Sequence, residues 1–407
     1  MNAILLLVGL LVLSYLGSFL VGGRTIRGAG LPSGIEYVVL GFVLGPHVLG
    51  ILGRDLLGEF EPIAQVALGW LALVIGLDFG KTGDRRVGGG AMVLGLLSGI
   101  VTGAMVGGAV WLYEIRVRHA PADFDRILLA GGIGAACAET TRHAIRWAAE
   151  RHGATGPLTT LLGDFAHADD FVPLIATAIL FALAPMNAAV PVHFAWWIWV
   201  AITIGFGLLL GGMTAMHIGR ELRVDQTWGV LLGMSVLGIG VAARLGISAL
   251  SVLFFMGFAT AQLSRHRATI RAMVIPIERP ILLPALVLAG AHVDLRAMPG
   301  LPWIIGAAIA ARILAKMLIG AMLSVRRAST LLGAGLLSSG ALSMSVGLAF
   351  ALRFPGPTGN AILATACVTC ILGEMIGPLT LRKLLRDAGE IDDSALASTV
   401  ETTVTAP

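Results

Sequence analysis

Charge is scarce in this sequence: only 13% of its 407 residues are Asp, Glu, Lys or Arg, against about 25% in soluble globular chains. So few charges cannot cover a water-facing surface on a chain of this length. Aromatic residues are also few, at 6%, and there are three cysteines, Cys137, Cys367 and Cys370, all in apolar segments. The Cys367/Cys370 spacing has no second pair to complete a zinc site. Lys and Arg are spread over many short loops, so the positive net charge marks no nucleic-acid-binding patch. What is abundant is apolar: 57% hydrophobic residues and a mean hydropathy of +0.88. The apolar stretches recur along the whole chain, each of about 20 residues, the length of helix that crosses a ~30 Å hydrocarbon core. The expected fold class is an all-α polytopic membrane protein, and the 54 glycines predict helices that approach closely.

Hydropathy predicts thirteen spans, near 3–22, 33–52, 62–80, 88–113, 126–149, 157–184, 194–217, 227–243, 247–263, 272–294, 301–324, 328–352 and 358–381. One set of alternate loops holds 17 of the 28 Lys and Arg and the other holds seven, which predicts an outside N-terminus and a cytoplasmic C-terminus. The first span lacks the basic n-region and A-x-A-type site of a signal peptide and is read as a retained helix. The polar stretch 387–407 is expected to be a short disordered cytoplasmic tail, with no nucleotide-binding domain after it.

Two segment pairs repeat in the same order in the two halves. RILLAGGIGAACAETTRHAI (126–145) matches STLLGAGLLSSGALSMSVGL (329–348), and LALVIGLDFG (71–80) matches LVLAGAHVDL (286–295). Inverted-repeat transporters have this order, with helices interrupted at mid-membrane where half-helix ends and freed carbonyls meet ions. Breaks are expected near Ala138–Thr141 and Ser338–Leu342. Close packing through small residues is the alternative use of these segments.

GPLTTLLGDFAHADDFVPLIATAILFAL (156–183) puts Asp164, His167, Asp169 and Asp170 in one apolar span. A mid-bilayer aspartate costs about 2.5–3.5 kcal/mol on insertion scales, so the adjacent pair needs protein, water or an ion to solvate it. Neighbours on a helix point about 100° apart. Asp169 and Asp170 therefore have two roles, one facing an ion cavity and the other a cation on another helix. Asp164 is nearer the helix start and can be interfacial, while His167 is either a satisfied core residue or a group that tunes pH response. The internal countercharges are Arg312 and Lys316, four apart on one helix face. Lysine changes protonation when desolvated and arginine does not, which makes Lys316 the expected switchable partner of Asp169. For Arg312, snorkelling to an interface is the competing reading. Glu139, followed by Thr140 and Thr141, offers oxygen ligands for a dehydrated cation, or else pairs with Arg142 or Arg146. Glu374 is a further intramembrane carboxylate.

With these residues in place, the chain resembles the cation/proton antiporter superfamily, in its branch of bacterial Na+/H+ and K+/H+ exchangers. The likeness runs along nearly all of residues 30–386. It is carried by LPSGIEYVVLGFVLGPHVLGIL, IAQVALGWLALVIGLDFG, HADDFVPLI, ERPILLPALVLAGAHVDL and ILGEMIGPLTLRKLL. HADDFVPLI resembles the two-aspartate motif of the electrogenic members. The chain departs from the usual family wording at Ala138-Glu139-Thr140-Thr141 and at Ser339-Gly340-Ala341.

The resemblance implies a Na+/H+ antiporter fold with two crossing broken helices. It implies a homodimer built on a panel (about 1–60 and 194–263) and a mobile core (about 88–184 and 301–381), within a bacterial inner membrane. Asp170 would bind the cation or a proton in competition, and Asp169 would pair with Lys316. The expected function is exchange of Na+, or K+, for protons, with no cofactor, nucleotide or enzymatic activity. A gated cation channel is the alternative. An intramembrane aspartyl protease is disfavoured because Asp164, Asp169 and Asp170 all lie on one segment.

Overall fold

The computed structural model describes residues 34–79, 89–184, 194–219, 224–324 and 332–391, and within these every regular element is helical. The expected span 3–22, several of the basic loop residues and residues 392–407 of the tail lie outside the described residues. In chain order the helices are α1 (Glu36–Leu44), α2 (Arg54–Asp78), α3 (Gly89–Leu112), α4 (Phe124–Ala136), α5 (Arg142–His152), α6 (Pro157–Asp169), α7 (Phe171–Leu183) and α8 (Trp196–Ile218). They continue as α9 (Val224–Leu245), α10 (Ala249–Leu263), α11 (Arg267–His292), α12 (Leu301–Ser324), α13 (Leu332–Gly335), α14 (Ala341–Arg353) and α15 (Pro357–Asp387).

Long apolar runs make these helices, and punctuation residues end them. Pro157 and Pro357 open α6 and α15 at the first turn, where a missing N–H goes unnoticed. Gly153 closes α5 with φ of 60°, and Asp123 caps α4 by accepting the Arg126 amide at 3.0 Å. The span expected over 33–52 is helical only to Leu44, because Gly45 and Pro46 turn the chain there. α11 carries Pro276, Pro280 and Pro284 and bends by 44° between Arg267–Glu278 and Pro280–His292. Seven helices, or eight if the bent pair is one span, are long and apolar enough to cross a membrane among the described residues. Leu97, Leu209, Met216, Trp303, Met322 and Leu379 are exposed apolar side chains of the kind a lipid-facing surface carries.

Packing divides the helices into two groups. α1, α2 and α8–α11 form one, with α2 against α10 and α11, α8 against α10, and α1 against α11. α3–α7 and α12–α15 form the other. In it α3 packs on α4 and α6 while α12 packs on α13 and α15, so the same order of elements occurs twice. α7 against α8 and α10, and α14 against α2 and α11, make the seam between the groups.

Lipid supplies no hydrophobic drive between helices, so these contacts depend on close backbone approach. The approach is reciprocal in α2 and α10: a Cβ on Gly76 would lie 2.2 Å from the Phe254 carbonyl oxygen, and one on Gly257 2.3 Å from that of Leu73. Gly257→Val must therefore force the pair apart, at about 1–3 kcal/mol. In detergent it is expected to lower the thermal unfolding temperature by several degrees relative to Gly205→Val, made where a Cβ meets nothing within 4 Å.

Candidate functional site

Both expected breaks are present. The chain leaves helix after Ala136 and resumes at Arg142, and in the second repeat leaves after Gly335 and resumes at Ala341. The two non-helical stretches touch, with the Thr141 amide donating to the Ser338 carbonyl at 3.2 Å. Each break strands carbonyls that lipid cannot satisfy.

Arg312 and Lys316, one turn apart on α12, supply the donors. Arg312 is 3% exposed and donates from Nη1 to the Cys137 carbonyl (2.5 Å) and from Nη2 to those of Glu139 (2.8 Å), Ser338 (3.2 Å) and Leu337 (3.4 Å). One planar guanidinium thus ties both breaks together, a geometry a lysine cannot reproduce. The snorkelling reading of Arg312 is overturned: its charge faces backbone carbonyls at the crossing. Lys316 is fully buried and donates to the Thr140 hydroxyl (2.8 Å), the Ala138 carbonyl (3.3 Å) and Asp169 Oδ2 (3.3 Å).

Asp169 is thus in contact with Lys316. Its other oxygen accepts the Thr140 amide at 3.1 Å, and the carboxylate is fully buried. Asp170, on the turn between α6 and α7, points elsewhere. Its Oδ2 lies 3.0 Å from Arg142 Nε, and it lines a cavity of about 30 Å³, room for a water molecule or one small ion. Asp78, Glu139, Arg142, His143 and Glu278 also line it. Asp169 does not line it.

Glu139 has a use the sequence did not disclose. Its Oε1 accepts from the Gly340 amide (2.8 Å), the Ser343 amide (2.9 Å) and the Ser343 hydroxyl (2.9 Å). A carboxylate from the first break thus caps the N-terminus of the half-helix after the second, whose own cap residue, Gly340, has no side chain to do so. The pairing of Glu139 with Arg142 or Arg146, one of the two alternatives read from the sequence, is not the arrangement found. Arg142 instead binds Asp170 and, at 2.7 Å through Nη1, Asp78 on α2. Asp78 also accepts from Arg271 Nε on α11. Asp78, Arg142 in this role and Arg271 were missed from sequence. The available signal was an aspartate closing the apolar run LALVIGLDFG.

His167 stacks on Phe79 with ring centroids 3.8 Å apart and places Nδ1 3.1 Å from Arg142 Nη1. Asp164 is half-buried on α6 and does not line the cavity. Thr140 is engaged by Lys316 and Asp169, not by the cavity. Glu374 is buried on α15. The tail expected from 387 is held at its start. Glu390 accepts the Leu158 (2.6 Å) and Thr159 (2.7 Å) amides and the Thr159 hydroxyl (2.7 Å), capping the helix that carries the aspartates.

The profile of the family described as sodium/hydrogen exchanger, transmembrane, matches residues 11–386. The chain belongs to this family. It is a multi-pass cation/proton antiporter and not an enzyme, so the protease reading falls. Its fold is similar to that of the sodium proton antiporter MjNhaP1 from Methanocaldococcus jannaschii at pH 8, at 18% identity with TM-score 0.70 over 94% of this chain and 98% of that one. An electron-microscopy map of MjNhaP1 matches at 17% identity with TM-score 0.67, over 95% and 98%. No curated protein matches. Among the described residues no cluster of His, Cys, Asp and Glu is arranged to hold a metal ion.

Removing the Glu139 cap strands three donors, so Glu139→Ala is expected to destabilise the protein by about 1–3 kcal/mol. Glu139→Gln, which keeps an acceptor oxygen, should recover part of the loss, and thermal unfolding of the purified variants reads both.

Proposed function

We propose that Asp170 is the residue at which this antiporter exchanges a monovalent cation, Na+ in preference to K+, for a proton. The observation that carries this reading is the division within the acidic pair. Asp169 is fully enclosed by Lys316 and Thr140, whereas Asp170 lines the cavity beside it. A carboxylate in a dry setting must be neutralised by a proton, a metal cation or a protein cation. A proton and a cation claiming the same oxygens exclude one another, and that exclusion is the coupling. A cation gradient then drives proton movement the other way without covalent chemistry.

The second half of the cycle is alternating access. The α3–α7/α12–α15 group holds the site and moves against the other group, whose outer helices form the panel of a homodimer. Thirteen spans with an outside N-terminus in the bacterial inner membrane complete the topology. If the Asp169–Lys316 pair gains and loses a proton in each cycle, two protons cross per cation and transport is electrogenic.

Proteoliposomes with an imposed pH gradient test this. Na+ added to wild-type vesicles is expected to drive proton flux, and Asp170→Asn is expected to abolish it, whereas undiminished exchange in that variant contradicts the assignment. With the membrane voltage clamped by ionophore and then released, wild-type flux should change if two protons move per cation. Cation flux without proton movement would favour a channel.

A further inference from the structure

The pocket beside Asp170 already contains a cation, and it is part of the chain. Arg142 is the first residue of α5, directly after the first break, and its guanidinium lies between two carboxylates. Nε is 3.0 Å from Asp170 Oδ2 and Nη1 is 2.7 Å from Asp78 Oδ2. The carboxylates belong to different helix groups, Asp170 to the group with the broken helices and Asp78 to α2 across the seam. Arg271 of α11 binds the second oxygen of Asp78. His167 touches Arg142 Nη1, and Glu139, Thr141, His143, Arg146 and Glu278 also line the pocket. Asp170 and Asp78 are thus each paired with an arginine, and Arg142 is shared between them.

We infer that Arg142 is an internal competitor for the cation site: it neutralises Asp170 when the site is empty, and an incoming cation displaces it onto Asp78. The inference rests on the reading of Asp170 as the ion ligand and deepens it. Three features support it. A guanidinium cannot give up its proton, so it leaves Asp170 only by moving. A destination is already in contact, because Nη1 holds Asp78 and a small turn of the side chain transfers the remaining hydrogen bond. The cavity beside the three residues has room for one small ion. A full positive charge on Arg142 and a second on a cation cannot share one buried carboxylate without strong repulsion, so occupation is alternative.

Competition makes opposite demands on two variants. Arg142→Gln removes the competitor, so the apparent KM for Na+ should fall. Asp78→Asn removes the alternative partner, leaves Arg142 committed to Asp170 and should raise KM. Each shift is expected to reach about tenfold, the ratio corresponding to one charge-assisted hydrogen bond. The measurement is Na+-driven proton flux in proteoliposomes at alkaline pH, where protons compete least, with KM and kcat resolved separately. Arg142→Lys keeps the charge without the forked geometry and should lie between wild type and Arg142→Gln.

An unchanged or raised KM in Arg142→Gln, or an unchanged or lowered KM in Asp78→Asn, overturns the inference. Should Arg142→Gln not fold, Asp78→Asn alone carries the test. Asp170→Asn separates the two levels. If it still exchanges, the ion-site reading itself fails; if it is inactive and the KM shifts are absent, only the role of Arg142 fails.

Discussion

The architecture depends on how the carbonyls freed by two broken helices are satisfied inside a membrane. No water is at hand in the hydrocarbon region, and each unpaired carbonyl there costs several kcal/mol. Arg312 resolves this by donating to the carbonyls of Cys137 and Glu139 in one break and of Leu337 and Ser338 in the other. Lys316, one turn further on, adds Ala138 and joins the crossing to Asp169. Glu139 returns the favour in the other direction, its carboxylate lying on the amides that open α14. The crossing is thus closed by charges that complement the helix ends they face.

The remaining charges follow the same logic. Asp169 is matched by Lys316, and Asp170 and Asp78 by Arg142 and Arg271. Away from the crossing, the buried Glu114 is met by Arg118 and Arg126 where α3 ends in a π-helical turn. The carboxylate proposed to take the transported ion is the one whose partner, Arg142, also holds Asp78 across the seam, whereas the one held by Lys316 and a backbone amide is enclosed by a single helix group. On the proposed reading, the former changes partners while Lys316 and Arg312 keep the crossing closed.

Much of this was legible in the sequence. The intramembrane carboxylates stand out because apolar residues surround them, and the four-residue spacing of Arg312 and Lys316 puts both on one helix face. The breaks were visible as small, polar interruptions of apolar runs in matching order. What could not be read depended on positions fixed only by tertiary structure. Glu139 caps a half-helix through Gly340, 201 residues further along the chain, and no local pattern indicates that. Asp78 and Arg142 are 64 residues apart and meet only because two helix groups face each other there. Arg312 was ambiguous for a different reason: an arginine in an apolar helix reads the same whether it reaches a surface or a set of carbonyls.

The central claim is that a cation and a proton exclude one another at Asp170, and equilibrium proton release tests it most directly. Purified wild-type protein in weakly buffered detergent solution, titrated with Na+ near the pH at which Asp170 is partly protonated, should release protons in proportion to the cation bound, and Asp170→Asn should release none. Saturable Na+ binding by the wild type without proton release at any pH would contradict the account.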